Sequence, residues 1–174
     1  YLTAVEPEEA GAAVGRTLAG DHDIEERMML RIEVRRADGS PGVVDHALNE
    51  VVVARTAASQ TVRLGVSLDG EFLTSYAADG LIAATPTGST AYAFSARGPI
   101  VDPVHRAIQL TPVSPHMLFD RTMVLDPSTE VGMEVLGHRE ATCSVDGREL
   151  VVLGGGDMVV CTVADRVARL VTFG

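Results

Sequence analysis

Asn49 and Glu50 stand side by side in the run HALNEVVVAR, and Asn49 is the only asparagine among 174 residues. Neighbouring residues of a strand point to opposite faces, so at least one of this polar pair faces the core side. A buried amide or carboxylate costs a few kcal/mol unless something satisfies it. Two arrangements answer that need. Either both side chains reach water at an edge strand or bulge, or a ligand meets them. As ligand contacts, an amide and a carboxylate could read the donor and acceptor edge of an adenine and a neighbouring hydroxyl.

A second concentration is DGLIAATPTGSTAY, residues 79–92. The apolar run 81–84 stops in six small or turn-forming residues, 85–90, before an alanine-aromatic stretch. A strand ending at Thr85 and a helix over 88–96 would make a strand–loop–helix unit. The first N–H groups of a helix lack partners within it, and the dipole makes that end positive. Gly88 would let a ligand approach the backbone, while Ser89 or Thr90 would cap the helix or donate to that ligand. Such an end suits phosphate or ribose hydroxyls, and an ordinary capped helix has the same spacing. Asp79 comes just before the strand. Its Asp-Gly pair reads as a turn or as a carboxylate gripping two ribose hydroxyls, and the pattern leaves both open.

Composition narrows the chemistry. All 14 basic residues are arginine. Without lysine there is no Walker-type phosphate lysine and no Schiff-base nucleophile, so an anion must be held by Arg, backbone N–H groups, hydroxyls or a metal. The net charge of −10 argues against nucleic acid and anionic membrane as partners. No window approaches the roughly 18 uninterrupted apolar residues of a membrane span. Cys143 and Cys161 lie in apolar strand-like runs without metal-ligand spacing and read as buried thiols. The chain opens on Tyr1 with no signal-peptide pattern, from which we expect a fragment of a longer cytoplasmic chain.

The elements that must position these residues are mostly strands. Residues 5–19 predict a short helix with acids in its first turn. The stretches 27–36, 43–55, 61–85, 130–137, 141–152 and 158–173 are rich in Val, Ile, Leu and Thr. Their separators, ADGS, LDGE, VDGRE and LGGGD, are hairpin-turn chemistry, because Asp-Gly supplies positive φ. The expected fold is mainly β, a single domain over 1–174: a two-sheet antiparallel sandwich with two short helices.

ALNEVVV, then DGLIAATPTGSTAYAFSARGPIVDP, then SVDGRE, in this order and spacing, resemble the C-terminal domain of NAD kinases. The resemblance covers essentially the whole chain, and YLTAVEPEE looks like the segment by which that family enters the domain. It implies phosphoryl transfer from ATP or polyphosphate, with Mg2+ or another divalent cation, to the adenosine-ribose 2′-hydroxyl of NAD. By motif, Asn49 and Glu50 would contact the ribose and phosphate region of NAD. Thr90, Ala91, Tyr92 and Ser95 would line the dinucleotide pocket, and Asp79 would hold ribose or nicotinamide groups. Asp146, of SVDGRE, lies at another family position near the ligand. Ala78 stands where the family usually has glycine, a change that tightens the turn or re-aims Asp79. The family's Gly-Gly-Asp-Gly motif, with its catalytic aspartate, belongs to an N-terminal α/β domain and does not occur here; LGGGD lies near the wrong end. Family resemblance also implies homodimers or homotetramers. A lipid kinase of the diacylglycerol or sphingosine type, or a non-catalytic nucleotide-sensing module, are the alternatives. The first would need a deep apolar acceptor pocket, against which TPTGSTAY and Asn49–Glu50 argue.

Overall fold

The computed structural model describes residues 5–57, 60–116 and 119–173, and every structural statement concerns these. A 3-10 turn, Pro7–Glu9, leads into α1 (Ala10–Leu18). Then come β1 (Asp23–Arg35), β2 (Val44–Ala47), β3 (Glu50–Arg55), β4 (Val62–Leu68), β5 (Glu71–Ala78) and β6 (Gly80–Ala84). A second 3-10 turn (Thr87–Thr90) and α2 (Tyr92–Ser95) interrupt the strands. The remainder is β7 (Ile108–Val113), β8 (Met123–Leu125), β9 (Val131–Val135), β10 (Ala141–Val145), β11 (Arg148–Leu153) and β12 (Met158–Thr172).

Two antiparallel sheets form, ordered β2-β1-β12-β9-β4-β5 and β11-β10-β3-β6-β7-β8. Alternation builds the core between them. Leu30, Ile32 and Val34 of β1 face Val51 and Val53 of β3 and Leu81 of β6 within one buried cluster. Cys143 and Cys161 belong to that core as free thiols, and burial pushes the pKa of both upward, that of Cys143 to about 12, so they stay protonated. The outer face of the second sheet is also covered: Ile82 and Ala84 pack on Ala93 of α2. Because β6 is buried on both faces, it reads as the continuous apolar run 81–84.

The Asp-Gly separators LDGE and VDGRE make the expected hairpins, whereas LGGGD carries the chain from β11 in one sheet to β12 in the other and is not a hairpin turn. Asp69 and Gly70, and Asp146 and Gly147, adopt positive φ between β4 and β5 and between β10 and β11. In LGGGD the Asp157 carboxylate accepts the Ala37 and Gly154 amides and pairs with Arg36 at 2.7 Å. Burial opposes ionisation there, yet these donors hold the carboxyl below its usual range.

Three further expectations need correction. The run 43–55 is two strands in different sheets, broken at Leu48 and Asn49. The chain changes sheets again at Asp79, between β5 and β6, so Asp79–Gly80 is a crossing and not a hairpin turn. The predicted helix over 88–96 is split at Ala91 (φ −95°, ψ −128°) into the 3-10 turn and a four-residue α2.

Candidate functional site

Both polar features singled out in the sequence lie where the chain leaves one sheet for the other. At the first corner, Asp146 reaches from the β10–β11 turn and accepts three consecutive amides: Leu48 at 2.7 Å, Asn49 at 2.8 Å and Glu50 at 3.0 Å. Its own amide donates to the Glu50 carbonyl. The 85–90 loop closes the corner from the other side. Thr85 donates its amide to the Asn49 carbonyl and its hydroxyl to the Leu48 carbonyl at 2.6 Å, while that hydroxyl accepts the Gly88 amide at 3.1 Å.

Asn49 is therefore fixed through its backbone on both sides, while its side-chain amide makes no hydrogen bond to a described residue. It lines a cavity of about 300 Å³ with Arg27, Thr87, Thr90, Ala91 and Leu170. Arg27 reaches in from β1, 5% exposed, paired with Glu25 at 2.6 Å and 3.5 Å from the Thr87 hydroxyl. Sequence reasoning missed Arg27, Thr87 and Leu170. Arg27 falls on the outward phase of RMMLRIEV with Arg31 and Glu33, and the register shift between Met28 and Leu30 lies beside it, so alternation gave no signal for its burial.

Glu50 is buried at 7% exposure, satisfying the expectation that one member of the pair faces inward. The Tyr92 amide, first in α2, hydrogen-bonds its carboxylate, and its Oε2 has no hydrogen-bond partner among the described residues. Burial, then the nearby Asp146 charge, push the Glu50 carboxyl up to about 6, with the Tyr92 amide opposing.

The start of α2 is not built as an anion site. α2 has four residues, too few for a useful dipole, and the anion at its start is Glu50. Ser89 is fully buried and exchanges hydrogen bonds with the Val101 backbone, so it neither caps a helix nor faces a cavity. Gly88 admits no ligand: a Cβ there would lie 2.1 Å from the Asn49 carbonyl oxygen, so its small size serves the corner.

Tyr92 and Ser95 line a separate cavity of about 630 Å³. Asp79 lines neither cavity; it pairs with Arg55 at 2.8 Å while its backbone bonds Arg55 and Val113. Ala78 is buried in regular pairing with Val62. The structure thus groups Asn49, Thr90 and Ala91 around one cavity, places Tyr92 and Ser95 on another, and sets Glu50 and Asp146 behind the corner as supports.

Among the described residues no group of three or more His, Cys, Asp or Glu side chains could hold a metal ion. The two corner carboxylates are committed, Asp146 to three amides and Glu50 to the Tyr92 amide. No helix among the described residues is long and apolar enough to cross a membrane.

Comparison with known proteins agrees with this architecture. Residues 48–173 match the ATP-NAD kinase C-terminal domain. The NAD kinase of Moorella thermoacetica is 41% identical over 98% of this chain, which spans 55% of that protein. That of Heliobacterium modesticaldum is 41% identical over 100% of the chain and 62% of its own length. A yeast NADH kinase crystallised with NADH superposes with a TM-score of 0.92 at 27% identity, covering 100% of this chain and 54% of that one. An Archaeoglobus fulgidus NAD kinase in complex with ATP gives 0.78 at 25% identity, covering 99% and 64%. The chain spans a little over half the length of the curated relatives it matches. It belongs to the NAD kinase family, and its β-sandwich is that family's C-terminal domain.

Proposed function

We propose that this chain is the acceptor-binding part of an NAD kinase, which transfers a phosphoryl group from ATP or polyphosphate to the adenosine-ribose 2′-hydroxyl of NAD. The observation that supports it best is Asn49: its backbone is clamped by Asp146 and Thr85, while its amide is left to a cavity walled by Arg27, Thr87 and Thr90. Such an amide is preorganised for a ligand and would lose a hydrogen bond if none came.

In the transfer, the bond from the donor phosphorus to its leaving oxygen breaks as one forms to the 2′-oxygen, and the hydroxyl proton passes to a carboxylate. We assign that carboxylate to the Gly-Gly-Asp-Gly aspartate of the longer family chain. The divalent cation belongs with the donor phosphates. The residues described here bind and orient NAD. A lipid acceptor fits less well, since a 300 Å³ cavity is small for an acyl chain and Arg27, Asn49 and Thr90 stand in its wall.

Steady-state kinetics on the whole gene product test the reading. Native protein should phosphorylate NAD. Asn49→Ala should raise KM for NAD more than it lowers kcat, because the amide pairs in ground and transition states alike. A loss of about 1–3 kcal/mol in kcat/KM is expected for one hydrogen bond with its partner left unpaired. Unchanged kcat/KM would make Asn49 purely structural and remove the cavity assignment; a native protein that binds NAD without phosphorylating it would be a sensing module.

A further inference from the structure

Four non-glycine residues among those described have left-handed backbone: Asp69 (φ 51°), Arg97 (φ 68°), Ser114 (φ 47°) and Asp146 (φ 46°). Asp69 and Asp146 precede Gly70 and Gly147 in hairpin turns whose geometry demands positive φ. Arg97 and Ser114 belong to no such hairpin, and both line the cavity of about 630 Å³ that holds Tyr92 and Ser95.

Arg97 is the sharper case. The chain closes α2 by donating the Arg97 amide to the Phe94 carbonyl and the Gly98 amide to the Ala93 carbonyl. The left-handed position of such a closure is usually filled by glycine, because a Cβ there crowds the backbone. Here an arginine takes it and the glycine comes one residue later. The Arg97 guanidinium makes no ion pair or hydrogen bond with a described residue, whereas Arg121, also on the cavity, lies 3.4 Å from the Asp120 carboxylate. Strain kept at a cavity wall points to a function for the side chain that causes it. The chain's net charge of −10 repels anions, so a phosphate-bearing ligand needs a local cation. A guanidinium can supply one as a two-pronged donor matched to phosphate oxygens.

We propose that Arg97 is the anion-recognition residue of the larger cavity, taking a phosphate group of the nucleotide. The proposal deepens the NAD reading and rests on it for the ligand class, since Tyr92 and Ser95 share that cavity.

The test uses the whole gene product, with pyrophosphate and NAD titrated calorimetrically against native protein, Arg97→Gly and Arg97→Lys, alongside thermal melts. Arg97→Gly should gain a few degrees in Tm as the strain is relieved, yet bind both probes roughly tenfold more weakly. Arg97→Lys should keep only part of the affinity, having charge without the fork. Native binding of both probes with Arg97→Gly unchanged would overturn the proposal, leaving Arg97 as a helix closure. An Arg97→Gly variant no more stable than native protein would remove the strain on which the inference is built. Should native protein ignore NAD but bind pyrophosphate through Arg97, the NAD reading fails and the anion site stands. Binding of neither probe overturns the site.

Discussion

The Asp146 carboxylate accepts the backbone amide of Asn49 at 2.8 Å across 97 positions of sequence, and the same carboxylate holds the amides on either side. One side chain therefore sets the course of the backbone where β2 passes into β3. Those bonds hold the backbone of Asn49 in place.

Asp146→Ala should accordingly destabilise the fold and disturb the cavity together. Three amides lose a charged acceptor, but two of those contacts are exposed and water can replace part of the loss. We expect about 2–3 kcal/mol, a fall in Tm of roughly 5–10 °C. A thermal melt unchanged from native protein would show that the corner holds without the carboxylate.

Gly88 and Gly15 make a matched pair for testing close approach. A Cβ on Gly88 would sit 2.1 Å from the Asn49 carbonyl oxygen, whereas one on Gly15, in α1, would meet nothing within 4 Å. Gly88→Ala should cost about 3 kcal/mol by forcing the loop off the corner, and should weaken NAD binding with it. Gly15→Ala should stabilise by about 0.5–1 kcal/mol through helix propensity. Denaturant melts of the two variants decide the matter, and equal effects would refute the packing account.

Glu50 gives a prediction with a definite sign. Burial, then the Asp146 charge, raise its carboxyl from 4.5 to about 6, so the folded state holds the proton more tightly than the unfolded chain. Its contribution to stability is full below pH 4.5 and is lost as pH rises through 6, reaching a cost of roughly 2 kcal/mol at neutral pH. Glu50→Gln keeps an acceptor for the Tyr92 amide and never ionises. It should be more stable than native protein at pH 7.5 and indistinguishable from it near pH 4.5. The difference between the two proteins cancels the other titrating groups, so a pH-independent gap would show that ionisation is not its cause.

These features differ in how far the sequence reveals them. Alternation and Asp-Gly turns are local, which is why the two-sheet fold and both positive-φ hairpins could be read directly. The corner at Leu48–Asn49 could not, because the residue that bends it, Asp146, lies 98 positions from Leu48. β7 was hidden by Pro112, which looks like a strand breaker. β8 pairs only with 108–110, so Pro112 has no partner on that side and its missing N–H costs nothing there. The helix at 88–96 failed for a tertiary reason: Ala91 turns out of helical geometry as the Tyr92 amide meets Glu50. Of the candidate residues, Asn49 and Glu50 stood out by polarity in an apolar run; Arg27 and Leu170 reach the cavity only through the pairing of β1 with β12.

The sheet edges lead us to expect self-association. β5 closes one sheet with Phe72 at 70% and Leu73 at 45% exposure, and β2, β8 and β11 are the other edge strands. Open edges and apolar side chains of this kind favour pairing with a second copy, in keeping with the dimers or tetramers implied by the family. Sedimentation at micromolar concentration should show a species larger than the monomer, and Phe72→Glu should shift it downward. A clean monomer for the native chain would count against the idea.

Phosphoryl transfer needs donor phosphates, metal and acceptor hydroxyl held in line, with a carboxylate at the acceptor proton. Among the described residues there is no cluster able to hold a metal, Asp146 spends both carboxylate oxygens on backbone amides, and Glu50 has one engaged by Tyr92. The chain has no lysine for a phosphate loop. A preparation of these 174 residues should therefore bind NAD weakly and transfer no phosphoryl group from ATP or polyphosphate, whatever divalent cation is added. The whole gene product should do both. Formation of NADP by the 174-residue chain would mean that one of its own carboxylates takes the acceptor proton, and Glu50, protonated near pH 6, would be the first to replace.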